Sequence, residues 1–310
     1  MTLSVLSGRA ARLVSVFSAS EIAERWQRSM HVDVGSQFRQ LGSIELWKCQ
    51  QSGLEFYVPP AAAGDGDLYE QLQHFAWYYM ADKWEFDEAL GKLDANSTLL
   101  EVGVGQGHFL RAAKCQGHNC YGVELNSKAA AIVRELGFEV YEQSLNDLSA
   151  HCAKRFDAIC SFQVLEHVPN PLEFLQGMLS LLKPGGRLLL SVPNGAVMRR
   201  IDPNSNDLLN QPPHHMSHWD ADVFLKLPLF LPVQVKDMRR KPLAAQHVGL
   251  FVIGYLRSAL SFFGPRISRL IVNRYTILPI KLALQAGLRR FFPGHTLLVE
   301  LVYQPNGLTK

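Results

Sequence analysis

The stretch LLEVGVGQGHF at residues 99–109 has the pattern of a buried strand that turns through three alternate glycines into a helix. Gly103, Gly105 and Gly107 tolerate positive φ angles and let a ligand lie against bare backbone. Free N–H groups at the start of the following helix favour a negatively charged group at this point. A dinucleotide fingerprint would need G-x-G-x-x-G, but His108 stands at its third glycine position. The stretch predicts a small-molecule site of another kind; the alternative is a purely structural turn.

From Thr98 onward, short apolar runs alternate with amphipathic segments. The apolar runs are TLLEVGV, NCYGVEL, FEVYEQ, FDAICSF and RLLLSVP. Such alternation indicates βαβ units and therefore an α/β fold with a parallel sheet and helices on both faces. Apolar residues make up 47% of the 310-residue chain and charged residues 19%. This composition excludes collagen, coiled coil and long disorder.

A second signal stands at Glu124, which ends the next predicted strand about 20 residues beyond the glycine turn, where a carboxylate can accept two ribose hydroxyl hydrogen bonds. The two signals together resemble class I S-adenosylmethionine-dependent methyltransferases, whose first motif is E/D-x-G-x-G-x-G. FDAICSFQVLEHVPNP at 156–171 and LLKPGGRLLLSVPN at 181–194 resemble that family's fourth strand and the turn into its fifth. HTLLVELVYQ at 295–304 resembles its last strand. The resemblance implies a doubly wound, mostly parallel, seven-stranded Rossmann-like sheet.

The resemblance also implies S-adenosylmethionine as cofactor and a set of residues that bind it. Glu101 would lie near the methionine amino group, the three glycines along the methionine and ribose, and Glu124 at the ribose hydroxyls. Leu125 would lie against the adenine, Ser144 would contact adenine N6 through its hydroxyl, and Gln163 would face the methionine end. The implied cofactor-binding residues are Glu101, Gly103, Gly105, Gly107, Glu124, Leu125, Ser144, Leu145 and Gln163.

The loop NQPPHHMSHW at 210–219 displays three imidazoles and an indole on a segment stiffened by prolines. In the resembling family such a loop passes over the methyl-donor pocket, and many members have a His matching His215. An alcohol acceptor must lose its proton as it attacks the methyl group, and an imidazole is suited to accept it. We predict that His215 is the catalytic base, and that His214 and His218 are less favoured candidates for the same role. The alternative is that these imidazoles only brace the loop and cap the next helix.

Two patterns bear on metal binding. Quinone-type O-methyltransferases of the family carry a Glu-x-x-Glu-His cluster, but here the first carboxylate is replaced by Gln163, before Glu166 and His167. The loss of a charged oxygen ligand argues against a hard cation, and leaves Glu166 and His167 to brace the following helix. WKCQQSGL resembles half of a zinc ribbon, but Ser52 stands where the ligand after Cys49 would be. We predict no bound metal.

These patterns divide the chain into four parts. The sequence predicts an N-terminal helix at 1–30, a small ribbon-like β module at 31–64 that has lost its metal, and linker helices at 65–96. The methyltransferase domain would occupy 97–310 and carry a helical insert at about 240–293.

The insert has an unusual charge. Between Arg239 and Val299 there are ten lysines or arginines and no acidic residue, although the whole chain carries a net charge of only +3. Such a small net charge does not argue for nucleic acid. Two alternatives fit the apolar, basic stretch 247–292, which Pro265 and Pro279 should break into helices: a peripheral contact with an anionic membrane, or a lid or dimer interface.

Five scattered cysteines argue against a disulfide framework and for a reducing, cytoplasmic compartment. The basic, apolar insert suggests as an alternative location a peripheral position at the inner face of a membrane. No uncharged apolar stretch is long enough to predict a transmembrane helix. The predicted function is methyl transfer to a hydroxyl of a small molecule, a sugar or a lipid-linked saccharide. The alternatives are a quinone-type O-methyltransferase and a non-catalytic protein that binds the cofactor or its product.

Overall fold

The N-terminal part of the protein forms an antiparallel sheet and helices packed on it. The computed structural model describes residues 2–75, 78, 80–202, 205–260, 262, 264 and 271–305. The first elements are β1 (Ala11–Ser18), α1 (Ala19–Met30), α2 (Gly35–Phe38), β2 (Ser43–Cys49), β3 (Glu55–Val58), α3 (Gly66–Leu72) and α4 (Trp84–Leu90). Both α3 and α4 lie within the stretch 65–96 for which helices are predicted.

The prediction of a helix over residues 1–30 is correct only for Ala19–Met30 and wrong before it, because residues 2–10 form turns and an isolated bridge between Leu3 and Ala10. ARLVSVFS forms β1, which pairs antiparallel with β2 so that Ala11 lies opposite Cys49 and Ser18 opposite Ser43. β-Branched and aromatic side chains favour this extended conformation once a partner strand is present. The helix begins only at Ala19, because the Ser18 side chain accepts a hydrogen bond from the Glu21 N–H and caps it.

The second and larger unit alternates strands and helices. Its elements are β4 (Thr98–Val102), α5 (His108–Cys115), β5 (Asn119–Val123), α6 (Ser127–Glu135), β6 (Glu139–Tyr141), α7 (Leu145–Cys152), β7 (Phe156–Phe162), α8 (Pro171–Leu181), β8 (Leu182–Pro193), α9 (Gly195–Ile201), β9 (Ser217–His218), α10 (Ala221–Leu225), β10 (Val233–Pro242), α11 (Val248–Ala259), α12 (Arg274–Gln285) and β11 (Pro293–Tyr303).

Seven of these strands form one sheet in the order β10-β11-β8-β7-β4-β5-β6. β4 pairs in parallel with β5 and β7, whereas β11 is antiparallel to β8 and β10. Successive side chains of the central strand enter cores on opposite faces: Leu99 packs in one apolar cluster and Leu100 in the other. The predicted doubly wound, mostly parallel, seven-stranded sheet is confirmed.

A short strand joins the two units. β9 comes from the loop between α9 and α10, but it pairs with β3 in a four-stranded sheet of order β1-β2-β3-β9. In that pairing Glu55 lies opposite His218 and Phe56 opposite Ser217. The Tyr57 N–H also donates to the carbonyl oxygen of Met216 at 2.9 Å. The N-terminal sheet therefore fixes the position of the loop that carries the predicted catalytic imidazoles.

The insert between β10 and β11 consists, in its described part, mainly of α11 and α12, whose inner faces share an apolar cluster with α9. Pro265 lies outside the described residues. The expectation that Pro279 breaks a helix is wrong: it lies inside α12. The helix starts at a capping box between Asn273 and Thr276, and beyond it Pro279 removes only one hydrogen-bond donor. Among the described residues, every helix is too short or too polar to cross a bilayer.

Candidate active site

A cavity of about 950 Å³ opens at the carboxyl ends of the parallel strands. Residues that come directly after three adjacent strands line this cavity: Gly103 after β4, Glu124 after β5 and Gln163 after β7. Ser144, three residues after the end of the neighbouring β6, lines it as well. Helix α4 and the loop before it close one side, and the imidazole-bearing loop closes another. A volume of this size accommodates a ligand with the dimensions of a nucleoside cofactor and an acceptor beside it.

The glycine turn is shaped by sterics. Gly103 has a φ of +81°, and a Cβ at that position would lie 2.5 Å from Cγ2 of Val164. Gly105, with a φ of +52°, also lines the cavity. Gly107 does not line it: it precedes α5 with a φ of +75°, and its missing Cβ would lie 3.2 Å from Cγ2 of Val133 on α6. Gly107 therefore permits helix packing, while the other two glycines expose backbone to a ligand.

Glu124 is the residue that holds the turn to the second strand. Its Oε2 accepts the Gly105 N–H at 3.0 Å, and its Oε1 accepts the Asn126 N–H at 2.9 Å. Burial raises the pKa of this carboxyl group, and the two backbone hydrogen bonds counter part of that rise. Each carboxylate oxygen has a second lone pair, so the group can accept two ribose hydroxyls without leaving its place.

Glu101 lies at the floor of the cavity, where its side chain is almost wholly enclosed. The residue is 2% exposed, and its Oε2 has no hydrogen-bond partner among the described residues. Burial raises the pKa of this carboxyl group well above its ordinary value. A buried carboxylate oxygen without a partner is costly, and a ligand ammonium would satisfy it. The residues present therefore fit the methionine end of S-adenosylmethionine.

The adenine end of the site is less fully built. Leu125 is 71% exposed beside the cavity and offers an apolar surface for a base. The Ser144 hydroxyl already caps α7, because it accepts the Asp147 N–H at 3.1 Å and donates to that side chain at 2.7 Å. Leu145 is buried below it. Contact between adenine N6 and the Ser144 hydroxyl remains a prediction, since the cap occupies that group.

Gln163 occupies an unusual backbone conformation at the end of β7. Its φ is +58°, a left-handed value that non-glycine residues rarely adopt and that concentrates at functional sites. The main-chain N–H donates to the Ser191 carbonyl oxygen at 2.9 Å, and Nε2 donates to the Ser191 hydroxyl at 3.1 Å. The Gln163 side chain is thus tied to β8, and Gln163 lines the cavity beside the glycine turn.

Three imidazoles meet at the same cavity: His167, His214 and His215, which we call the imidazole cluster. The rings of His214 and His215 stack with centroids 4.5 Å apart, and the ring of His167 meets both edge-on at 4.6 and 4.9 Å. Burial lowers the pKa of His167 to about 3, lowers that of His214 to about 4, and lowers that of His215 well below its ordinary value. All three rings are therefore neutral at pH 7.

His218 is placed apart from the other loop imidazoles. Its Nε2 lies 2.8 Å from the carbonyl oxygen of Asn210 and its Nδ1 lies 3.5 Å from Oε2 of Glu55, and the residue does not line the cavity. Burial alone would raise the pKa of Glu55, but the hydrogen bond to His218 and the charges of Arg199 and Lys48 lower it to about 2. This ion cluster anchors β9 to β3.

Several cavity residues carry no sequence motif that identified them. Tyr69 on α3, together with Lys83 and Phe86 at α4, lines the cavity, although their stretch showed only the helical spacing of apolar residues.

Glu166, which the sequence suggested as a brace for the following helix, is 1% exposed. Both of its carboxylate oxygens are unpartnered among the described residues, and burial raises its pKa to about 8. A brace would have placed these oxygens on hydrogen-bond donors.

Comparison with known proteins gives matches to part of the chain. A sequence model of the methyltransferase domain family matches residues 72–227. A ubiquinone biosynthesis O-methyltransferase of Xanthomonas axonopodis pv. citri is 37% identical over 106 residues, which are 32% of this chain and 44% of that protein. One from Dechloromonas aromatica is 33% identical over 106 residues, 32% of this chain and 46% of that protein. The chain thus spans less than half the length of these curated relatives.

Solved structures resemble the chain more broadly but more distantly. An S-adenosylmethionine-dependent methyltransferase from Archaeoglobus fulgidus has a TM-score of 0.47 and 16% identity, and the match covers 76% of this chain and 99% of that one. Coclaurine N-methyltransferase, bound to N-methylheliamine and S-adenosylhomocysteine, has a TM-score of 0.46 and 16% identity over 73% of this chain and 74% of that one.

Proposed function

The chain belongs to the methyltransferase domain family, and we propose that it transfers a methyl group from S-adenosylmethionine to a hydroxyl oxygen on an apolar, ring-containing small molecule. One observation carries the proposal: the glycine turn and the imidazole cluster line the same cavity. Two further features support it. Aromatic side chains of Tyr69, Phe86 and Phe162 line the same cavity, and the matching relatives are named as O-methyltransferases. Saccharide and lipid-linked saccharide acceptors stay sequence predictions.

The mechanism follows from what each wall of the cavity does. When bound, the cofactor supplies an electrophilic sulfonium methyl group. Glu101 would hold the cationic amino group of the cofactor, and Glu124 and the glycine turn would orient its ribose, so that catalysis would rest chiefly on positioning. At the imidazole cluster, a neutral imidazole would accept the hydroxyl proton of the acceptor; His215 is the first candidate and His214 the second. Burial lowers the pKa of both rings, so either is a weaker base than a free imidazole. Asn210 fixes the His215 ring, since its Oδ1 accepts the Nδ1–H at 3.0 Å.

The experiment that tests this function measures transfer of a labelled methyl group. The purified protein is incubated with methyl-labelled S-adenosylmethionine and, in separate reactions, with phenols and quinols, saccharides, amines and carboxylates. We expect label in the phenol and quinol reactions. Label in the saccharide reactions alone would replace the proposed acceptor class. Tight binding of S-adenosylhomocysteine without transfer to any acceptor would favour the non-catalytic regulatory alternative.

Replacing His215 by Gln should lower kcat about 100-fold or more while S-adenosylhomocysteine affinity is unchanged. The reason is that general acid–base catalysis contributes about 10² to 10⁴ in rate, and His215 is not among the residues assigned to the cofactor. Steady-state kinetics with the acceptor that the screen identifies give kcat, and calorimetry gives the affinity. His151→Ala, on the exposed surface of α7, is the matched control. Full activity in His215→Gln would restrict this residue to bracing the loop.

The insert supports a second part of the proposal, a peripheral contact with an anionic membrane. Tyr275, Leu278 and Leu282 follow helical spacing along α12 and are exposed, whereas the opposite side of the insert packs against α9. Phe291, in the turn before β11, is 73% exposed. Basic residues accompany this apolar surface, and no acid occurs between Arg239 and Val299. An apolar ring-containing acceptor would itself partition into a membrane.

We expect the protein to co-sediment with vesicles of phosphatidylglycerol and phosphatidylcholine at low ionic strength, but not with phosphatidylcholine alone. Binding should fall as salt shortens the Debye length from about 10 Å at 0.1 M. Leu278→Gln combined with Leu282→Gln should weaken binding, because exposed leucines insert at the headgroup boundary. Leu229→Gln, an exposed leucine outside the insert, is the matched control. Failure to bind either vesicle would favour a lid or dimer contact instead. Arg266 and Arg269 lie outside the described residues.

A further inference from the structure

We propose that the imidazole cluster of His167, His214 and His215 binds a divalent transition-metal cation of the zinc type at the wall of the active-site cavity. One ring nitrogen from each of the three residues lies within 4.8 Å of the others. A tetrahedral zinc with bonds of about 2.1 Å needs nitrogen ligands about 3.4 Å apart, so the rings need to close by little more than an ångström at most. This inference goes beyond the proposed function, since cation binding does not depend on the acceptor.

The hydrogen bonds of the imidazole cluster use Nδ1 of each ring and leave Nε2 as the nitrogen that can bind a metal ion. Nδ1 of His167 donates to the carbonyl oxygen of His214. Nδ1 of His214 donates to the carbonyl oxygen of Leu209 at 2.9 Å, and Nδ1 of His215 donates to Asn210 Oδ1 at 3.0 Å. A proton on Nδ1 places the lone pair on Nε2. Histidine ligands of metals are anchored in this way, with one ring N–H on an oxygen acceptor and the other nitrogen on the metal.

Unpartnered atoms supply an independent observation. Nε2 of His214 is buried and has no hydrogen-bond partner among the described residues. Both oxygens of Glu166 are buried and unpartnered as well, and Oε1 lies 3.9 Å from Nε2 of His167. Leaving a lone pair and a carboxylate buried without partners costs free energy. A cation held by the three imidazoles would satisfy the free nitrogen of His214. The Glu166 carboxylate lies outside the ligand set, next to His167, where it would offset part of the positive charge.

The donor set selects the kind of cation. Three neutral imidazoles suit zinc, cobalt, nickel or ferrous iron, whereas magnesium and calcium prefer oxygen ligands. Three protein ligands also leave a fourth position for water or an acceptor oxygen. The prediction of no bound metal rests, for this part of the chain, on Gln163, Glu166 and His167, and the Gln163 side chain is tied to Ser191. It did not include His214 and His215, which β9 brings to His167 from 47 residues away along the chain.

The cation would change the role of His215 in the proposed reaction. A lone pair that binds a metal cannot also accept a proton, so the imidazoles would be ligands and not bases. An acceptor hydroxyl at the fourth position would lose its proton to water more readily, because the bound cation stabilises the oxyanion. The methyl transfer itself would be the same, and only the way in which the acceptor oxygen is activated would differ.

The test uses the 310-residue protein without a polyhistidine tag, stripped with a chelator and dialysed. Titration with Co²⁺ should give visible absorption bands of a low-symmetry site that saturate at one ion per chain, and Zn²⁺ should displace it. Zn²⁺ should also raise the Tm, because a ligand that binds only the folded state stabilises it. His214→Ala and His215→Ala should each weaken Co²⁺ binding at least about 100-fold, and Asn210→Ala, which removes a hydrogen-bond acceptor outside the ligand set, about 10- to 100-fold.

His151→Ala, at an exposed imidazole on α7, is the matched control and should bind Co²⁺ like the wild type. S-adenosylhomocysteine affinity reports whether each variant is folded, so a lost Co²⁺ site in a folded variant supports the proposal. Absence of Co²⁺ and Zn²⁺ uptake by the stripped protein would overturn it, as would uptake that persists in His214→Ala and His215→Ala. None of these readouts uses methyl transfer, so failure of the proposed function would appear separately in the acceptor screen.

Discussion

Replacing Glu124 by Ala is expected to weaken the binding of S-adenosylhomocysteine about 100-fold or more. The carboxylate is assigned two ribose hydroxyls, and a hydrogen bond to a charged group contributes about 1.5–3 kcal/mol. The same carboxylate accepts the Gly105 N–H and the Asn126 N–H, so its loss also frees the glycine turn. Both effects lower affinity in the same direction. Isothermal titration calorimetry measures the change.

Two further variants make this result specific. Glu124→Gln keeps a carbonyl oxygen and the size of the side chain, so we expect an affinity between those of the wild type and Glu124→Ala. Glu135→Ala removes an exposed carboxylate on α6 outside the cavity and should bind like the wild type. Unchanged affinity in a Glu124→Ala protein with wild-type Tm would show that the strand-end carboxylate is not the ribose ligand.

Replacing Glu55 by Gln should reduce the free energy of unfolding by about 3 kcal/mol near pH 7. The Glu55 carboxylate is buried and pairs with Lys48 at 3.0 Å and with Arg199 at 3.6 Å. Arg199 also pairs with Asp220, and His218 faces the same carboxylate. A pKa lowered from about 4.3 in the unfolded chain to about 2 in the folded protein corresponds to about 3 kcal/mol.

The pH dependence distinguishes this charge effect from lost packing. Because the pKa of Glu55 is lower in the folded state, its stabilising contribution is fully present above the unfolded value, and it is lost as pH falls from about 4.3 toward about 2. Urea unfolding of the wild type and Glu55→Gln between pH 2 and pH 7 should give curves that converge at the acid end. Curves that stay parallel down to pH 2 would contradict the assignment.

The parts of the site that could be predicted from sequence are those encoded locally. The glycine turn and Glu124 each directly follow a strand, and the carboxyl ends of parallel strands meet at one edge of the sheet. Apolar runs long enough to be buried on both faces predicted the strands themselves. Gly107 fits the same motif but serves helix packing, because the motif does not say which glycine faces the ligand and which faces α6.

The parts that could not be predicted depend on contacts between distant segments. Residues 11–18 are extended because β2 lies beside them, and a single strand gives little indication of its partner. His214, His215 and His218 are equivalent in the sequence of the loop, yet pairing of β9 with β3 turns His218 toward Glu55 and leaves the other two at the cavity. The ring contact of His167 with His214 also depends on the folded sheet, because the two residues are far apart in the sequence.

The pairing of β9 with β3 has a consequence for how this protein can evolve. The end of the loop that carries the imidazoles pairs with a sheet formed by the N-terminal part of the chain. Met216 is held on both sides, by the carbonyl oxygen of Glu166 and by the N–H of Tyr57. A substitution in β3 that displaces its edge therefore also displaces the imidazoles. We therefore expect the N-terminal sheet and the loop at 210–219 to vary together among relatives, so that a chimaera that exchanges only one of them would misplace the imidazoles.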